Sequence, residues 1–164
     1  MNPDAGGRRS LAPEDWPGGI PPCLIHVDKE GRMWHEGAPM VHEGINQLLM
    51  AHVELDAEGR YLIHFRGQRC FVEVEDTFFV VVRLEAETDG DGPAFFIVLN
   101  DGSREELDPG SLVQNDDNVL YARVKEGRFP ARFLRPSYYQ FAEHVTERDG
   151  RFVVVHRGRE FPIG

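Results

Sequence analysis

The chain has 164 residues, a formal net charge of −10, 41% hydrophobic residues and 28% charged ones, values that suit one globular domain or two small ones sharing a core. The acidic balance argues against general nucleic-acid binding, which needs a basic face. No apolar run reaches the ~18 residues needed to cross a bilayer, so no membrane insertion is expected.

Arg8 and Arg9 are followed by no hydrophobic stretch, so a signal peptide is not expected and the cytoplasm is the expected compartment. Cys23 and Cys70 are the only cysteines and form no C-x-x-C pattern. A disulfide framework or a zinc ribbon is therefore not expected, and two free thiols in a reducing compartment are. Eleven phenylalanines, four tyrosines and two tryptophans supply bulky core anchors. Charge is unevenly placed: residues 73–118 carry thirteen acidic side chains against two basic, whereas residues 119–164 carry nine basic against five acidic. Such a split suits a basic end that faces the acidic middle or an anionic ligand.

Residues 1–22 hold five of the eleven prolines and four of the seventeen glycines without periodicity, and read as a flexible arm. Leu24–Val27 and Arg32–His35 are predicted strands around Asp28-Lys29-Glu30-Gly31, and Gly37-Ala38-Pro39 breaks the second. Val41, Ile45, Leu48, Leu49 and either His52 or Val53 are spaced for a helix from Val41 to about Val53. After the turn at Asp56-Ala57-Glu58-Gly59, Tyr61–Phe65 and Arg69–Glu75 form a hairpin around Arg66-Gly67-Gln68. The middle reads as strand throughout: Phe78–Ala86, Ala94–Leu99 and Ser103–Leu107, joined by Asp-Gly and Asn-Asp-Gly turns. Leu120–Lys125 and Phe129–Leu134 are strands around Glu126-Gly127. Pro136 then opens a helix to about Thr146, and Phe152–Val155 with Arg159–Pro162 closes a hairpin on Arg157-Gly158.

The two ends echo each other. Lys29-Glu30-Gly31-Arg32 recurs as Lys125-Glu126-Gly127-Arg128, and each copy is followed by a strand, a proline, a helix, a Gly-Arg-aromatic step and an Arg-Gly hairpin. The order of elements implies an α+β fold built on a duplicated strand-turn-strand-helix-hairpin motif, mostly antiparallel, with two main helices. The expected division is an arm over 1–22, an N-terminal lobe over 23–75 and a C-terminal lobe over 76–164. Two similar lobes suggest a shared groove, where ligands preferentially sit.

Four blocks, Trp34-His35-Glu36-Gly37-Ala38-Pro39, Val72 to Val80, Arg135-Pro136-Ser137-Tyr138-Tyr139 and Phe161-Pro162, together resemble a bacterial domain-of-unknown-function family, number 1285. The resemblance implies an internally duplicated α+β fold with a pleckstrin-homology-like C-terminal lobe, a ligand site between lobes and a signalling role, with no established reaction. The acidic Asp89–Asp91 turn and the histidine-rich first lobe depart from that pattern.

No nucleotide-binding glycine loop, nucleophile elbow or H-E-x-x-H spacing occurs, so no catalytic residue, metal ligand or cofactor is assigned. Strand alternation puts Arg128, Pro130 and Arg132 on one face and Phe129, Ala131 and Phe133 in the core. Arg135 stands just before the Pro136 helix, whose free N–H groups and dipole favour an anion. With Tyr138 and Tyr139 it forms a candidate carboxylate or phosphate site. The competing expectation is that Arg135 pairs internally with Glu75 or Asp76. The leading expectation is thus a non-enzymatic protein binding a small anionic ligand or a protein partner, with Trp34, Glu73, Glu75, Asp76, Arg132, Arg135, Tyr138 and Tyr139 at the site. A rival is a hydrolase or isomerase using Glu75 or Asp76 with a nearby histidine. A third is an assembly protein that forms a homodimer through an exposed edge of Phe78–Ala86 or Ala94–Leu99.

Overall fold

The computed structural model describes residues 12–164; the first half of the expected arm, residues 1–11, lies outside the described residues. Prolines at the first helical position set two short 3-10 turns, Pro13–Asp15 and Pro17–Gly19. The chain then divides into a unit ending at Glu75 and a second unit from Asp76 to Gly164.

In the first unit, β1 (Pro22–Val27), β2 (Met33–His35), β3 (Ala38–Pro39), α1 (Glu43–Ala51), β4 (Val53–Leu55), β5 (Tyr61–Phe65) and β6 (Gln68–Val74) follow in order. The strands form one sheet, β3-β2-β1-β6-β5-β4, antiparallel except where β1 runs parallel to β6. Ile25, Val27, Met33, Val53, Tyr61, Ile63 and Val72 are buried, and Met50 of α1 with them. Leu62 and Phe71, paired across β5 and β6, are buried as well, so these two strands are covered on both faces.

The second unit contains β7 (Phe79–Asp89), β8 (Gly92–Leu99), β9 (Arg104–Glu106), β10 (Val113–Gln114), β11 (Leu120–Val124) and β12 (Phe129–Phe133). It continues through α2 (Arg135–Ala142), β13 (Val145–Arg148), β14 (Arg151–His156) and β15 (Arg159–Pro162). Its six-stranded sheet runs β9-β8-β7-β12-β11-β10, again antiparallel save for the central parallel pair, β7 with β12. Strand for strand this is the first unit's topology, with first and last strands side by side in parallel. Phe79, Val81, Phe95, Ile97, Leu99, Leu120, Ala122, Val124, Phe129, Ala131 and Phe133 fill its core, which places Phe129, Ala131 and Phe133 as alternation requires.

The last three strands form a separate antiparallel sheet. His156 is 6% exposed and ties this sheet to β8. Its Nδ1 accepts the Phe95 N–H at 3.1 Å, which leaves the proton on Nε2, 2.9 Å from Glu106 Oε1. The Arg157 N–H donates to Pro93 O beside it.

The fold is the expected mostly antiparallel α+β, with duplication visible as two six-stranded sheets of one design. The phase of the repeat differs from the sequence echo. Hairpin, helix and three-stranded run do recur (β1-β2, α1, β4 to β6; then β11-β12, α2, β13 to β15). In the first unit the run joins the hairpin's sheet, whereas in the second it forms its own.

The shared tetrapeptide also folds two ways. Asp28 accepts the N–H groups of Glu30 and Arg32 and the Arg32 Nε–H, so Gly31 alone takes a positive φ there. Val124 stands where Asp28 would, and Lys125, Glu126 and Gly127 all take positive φ. The chemical twin of the Asp28 turn is Asp56 to Arg60, with the same three bonds to Glu58 and Arg60.

Other boundaries shift for local reasons. Glu36-Gly37, both at positive φ, makes a two-residue hairpin turn into β3 where a simple break was expected. The first helix is confined to Glu43–Ala51, because His42 caps it by accepting the Ile45 N–H and Val53 already pairs as β4. The second helix stops at Ala142, since Val145 and Thr146 pair with β14. The expectation of free thiols is overturned: Cys23 and Cys70 form a disulfide between β1 and β6. Sequence separation of 47 residues concealed strands that the fold makes neighbours. Strands β7 and β8 each have a neighbour on both sides, but β12 pairs only with residues 79–81 of β7 and β9 only with residues 96–98 of β8.

Candidate functional site

The candidate residues fall in both units. Trp34, Glu73 and Glu75 belong to the first; Asp76, Arg132, Arg135, Tyr138 and Tyr139 belong to the second.

In the first unit, strand register sets Trp34 of β2 beside His26 of β1, and His26 beside Glu73 of β6. Glu75 follows β6, held by its N–H to Val27 O. Its Oε1 lies 2.8 Å from His26 Nε2, its Oε2 accepts the Lys29 N–H, and Glu73 Oε2 lies 4.0 Å from His26 Nδ1. The imidazole therefore stands between two carboxylates. Trp34 donates its indole N–H to Asp28 Oδ2, 3.1 Å away. Burial alone would raise the Asp28 carboxyl, but hydrogen bonds from Trp34, Arg32 and Glu30 outweigh it and hold it below its usual value.

The second unit builds its cluster at the same place in the sheet. Arg132 pairs with Val80 as Glu73 pairs with His26, and the Leu134 N–H donates to Val81 O as the Glu75 N–H donates to Val27 O. One topological position thus carries Glu73 in one unit and Arg132 in the other. Arg132 Nη1 and the Tyr121 hydroxyl both donate to Asp76 Oδ2 at 2.8 Å, and the Arg132 N–H donates to Thr77 Oγ1. Burial, then the hydrogen bond to the Asp76 carboxylate and its charge, push the Tyr121 phenol up, so it stays protonated as a donor. Arg132 is 24% exposed.

Arg135 opens α2 on an N-terminus without a side-chain cap, because the capping position is Leu134. It is exposed, and among the described residues it has no carboxylate partner. Within the second unit, the expected pairing of Arg135 with Asp76 is overturned: the Asp76 carboxylate takes Arg132 and Tyr121. Tyr138 lies 3.5 Å from Gln114 Nε2 through its hydroxyl and edge-on to Tyr139, which is 60% exposed.

His26, Asp28 and Tyr121 were not singled out from the sequence. His26 and Tyr121 did carry a signal, each being a polar residue that alternates with buried ones in a strand, Ile25 and Val27 in one case, Leu120 and Ala122 in the other. Asp28 lay hidden in a turn whose composition looked generic.

These features define an α+β protein of two strand-rich units, one six-stranded topology used twice, with a polar cluster at the central parallel pair of each. No family model and no curated protein matches the sequence. Among solved structures, a DUF1285 family protein from Silicibacter pomeroyi shares the fold with a TM-score of 0.73 and 18% identity, over 93% of this chain and 86% of that one. A DUF1285 family protein from Shewanella baltica shares it with a TM-score of 0.61 and 17% identity, over 73% of this chain and 91% of that one. The likeness suggested by the four sequence blocks thus extends to the fold. Among the described residues, no helix is long and apolar enough to cross a membrane.

Proposed function

We propose that this chain is a non-enzymatic binding protein of the bacterial cytoplasm, acting in signalling or regulation, whose second unit takes an anionic group at Arg132 and Arg135. The group is a phosphate or carboxylate, free in solution or carried by a protein partner. The observation that carries the reading is an exposed, unpaired Arg135 three residues after an Arg132 that Asp76 and Tyr121 hold in place. A guanidinium fixed by one carboxylate oxygen loses little freedom on binding and keeps N–H groups to offer. The start of α2, uncapped by any side chain, adds the positive end of the helix dipole, and the Tyr138 and Tyr139 rings lie one turn further on.

Thermal-shift titration with phosphate, sulfate and small dicarboxylates tests the free-ligand form, and phosphorylated or acidic peptides test the carried form. A raised midpoint with any of them that Arg135→Ala abolishes supports the reading. No shift with either set, or a shift that survives Arg135→Ala, refutes it.

One observation favours a second reading, in which the chain is a hydrolase or isomerase. His26 Nε2 lies within hydrogen-bond reach of Glu75 Oε1, the geometry general acid–base chemistry requires. Asp76 drops out of that reading, since its described partners are Arg132 and Tyr121. Turnover of ester or carbonyl substrates lost in both His26→Gln and Glu75→Gln would establish it; equal turnover in wild type and variants would exclude it.

A further inference from the structure

The disulfide sits where the first unit's ladder is irregular. Along the parallel pair of β1 and β6, Pro22 faces Phe71, and the next registered pair is His26 with Glu73. Four steps of β1 are therefore matched to two of β6, and the surplus is accommodated as a bulge. Cys23 lies in that bulge and Cys70 directly precedes Phe71, with their Cα atoms 5.0 Å apart.

Within the bulge Leu24 takes φ +64° and leaves its side chain 45% exposed. This conformation is unfavourable for a residue with a branched side chain and persists only where the surroundings impose it. Here they are the disulfide on one side and the bonds that frame the bulge: Phe71 N–H to Pro21 O and Glu36 N–H to Leu24 O. The equivalent parallel pair of the second unit, β7 with β12, keeps its register of Ala131 with Phe79, Arg132 with Val80 and Phe133 with Val81 without any disulfide. A covalent tie is thus no requirement of this topology. It accompanies the irregular copy only.

We propose that Cys23–Cys70 is a reversible thiol–disulfide site that sets the register of β1 on β6. In the oxidised form the bulge is held and the strand start at Pro22 is fixed to β6. In the reduced form Leu24 leaves the left-handed region and the segment Pro22–Leu24 releases.

Both cysteines are only half-buried, so a thiolate of a dithiol reductant of the thioredoxin type reaches one sulfur. It forms a mixed disulfide and expels the other cysteine as thiolate. The second thiol of the reductant then attacks the mixed disulfide and expels the first cysteine. Two electrons and two protons pass to the protein, and the reductant leaves as its own disulfide. No third cysteine exists to divert the exchange, and the ladder downstream, His26 with Glu73 and Val27 with Val74, keeps the two thiols close for reoxidation by a small-molecule disulfide of the glutathione type, which takes up the two electrons and two protons and leaves as two thiols. The cytoplasm, where the function proposed above places the chain, keeps thiols reduced, so the dithiol is the resting form there and the disulfide forms only while an oxidant acts on it. The redox site itself stands independently of the anion site.

The test is native-state hydrogen exchange on the intact protein, oxidised and then treated with dithiothreitol without denaturant, with Cys23→Ala/Cys70→Ala as a fixed mimic of the reduced form. Reduction should proceed in the folded protein, speed exchange at the Phe71 and Glu36 amides by about tenfold or more, and reverse on reoxidation. The Leu134 amide, whose bond to Val81 O belongs to the second unit, should not change. Three results overturn the proposal: a disulfide that resists dithiothreitol until the protein unfolds, Phe71 and Glu36 rates within about twofold of the oxidised form, or a Leu134 amide that loses protection with them. Should the double variant fail to fold, the reduced wild type decides alone.

Discussion

The pair formed by Lys125 and Asp101 offers the sharpest energetic test in the second unit. Lys125 Nζ donates to Asp101 Oδ2 at 2.6 Å and to Ser103 Oγ at 2.9 Å, and the Lys125 N–H reaches Glu105. The turn after β8 is thereby clamped to the turn after β11. The two side chains are 22% and 15% exposed, between a surface pair, worth about 0.2–1 kcal/mol, and a buried pair, where removing one partner costs about 3–5 kcal/mol. Lys125→Met should therefore destabilise the second unit by about 2 kcal/mol, because it strands a mostly covered carboxylate. A double-mutant cycle with Asp101→Asn should give a coupling of about 1.5 kcal/mol.

Urea unfolding followed by circular dichroism measures both; tryptophan fluorescence would not, since Trp16 and Trp34 both lie in the first unit. The pH dependence has a definite sign. Burial alone would raise the Asp101 carboxyl, but hydrogen bonds from Lys125 and Ser103 outweigh it and hold it below its usual 3.8. A carboxyl depressed by folding stabilises fully above its unfolded value and loses that contribution as pH falls through the folded one. The coupling should persist at neutral pH and fade below about pH 4. A coupling under about 0.5 kcal/mol at pH 7, or one unchanged in strong acid, refutes the reasoning.

Two further outcomes follow from other contacts. His156→Ala orphans the buried Phe95 N–H and removes the link to Glu106, and should cost about 2–4 kcal/mol of unfolding free energy by urea titration, with β13 to β15 amides losing protection first; uniform loss across the second unit would contradict that local role. Asp28→Ala and Asp56→Ala each remove one carboxylate that organises an identical five-residue turn, so each should cost roughly 1 kcal/mol, whereas Lys125→Ala should perturb its own turn through Asp101 instead. Thermal midpoints of the three variants, with amide shifts to localise the change, check this.

Local chemistry made much of the fold legible. The Arg66-Gly67, Asp149-Gly150 and Arg157-Gly158 turns were readable because a residue followed by glycine accepts two successive positive φ angles, and the Phe129–Phe133 strand because its alternation is strict. What escaped depended on partners distant in sequence. Nothing near Val53 or Val145 says that a strand waits to pair with it, so both were drawn into helices. The duplicated sheet escaped because β1–β6 and β7–β12 share connectivity with little shared composition, while the visible echo, Lys-Glu-Gly-Arg, belongs to turns of different shape. The candidate site was legible where side-chain type mattered, at Arg132, Arg135 and Asp76. It was hidden where register decided, at His26 and Tyr121, and at the Cys23–Cys70 bond.

Calorimetric titration of phosphate into the wild type, Arg135→Lys and Arg135→Ala tests anion binding by the second unit most directly. Saturable heat in the wild type, weakened in the lysine variant that keeps charge but loses the planar fork and gone in the alanine variant, is the expected result. Identical isotherms for all three, or no heat from phosphate or a dicarboxylate in any, would contradict it.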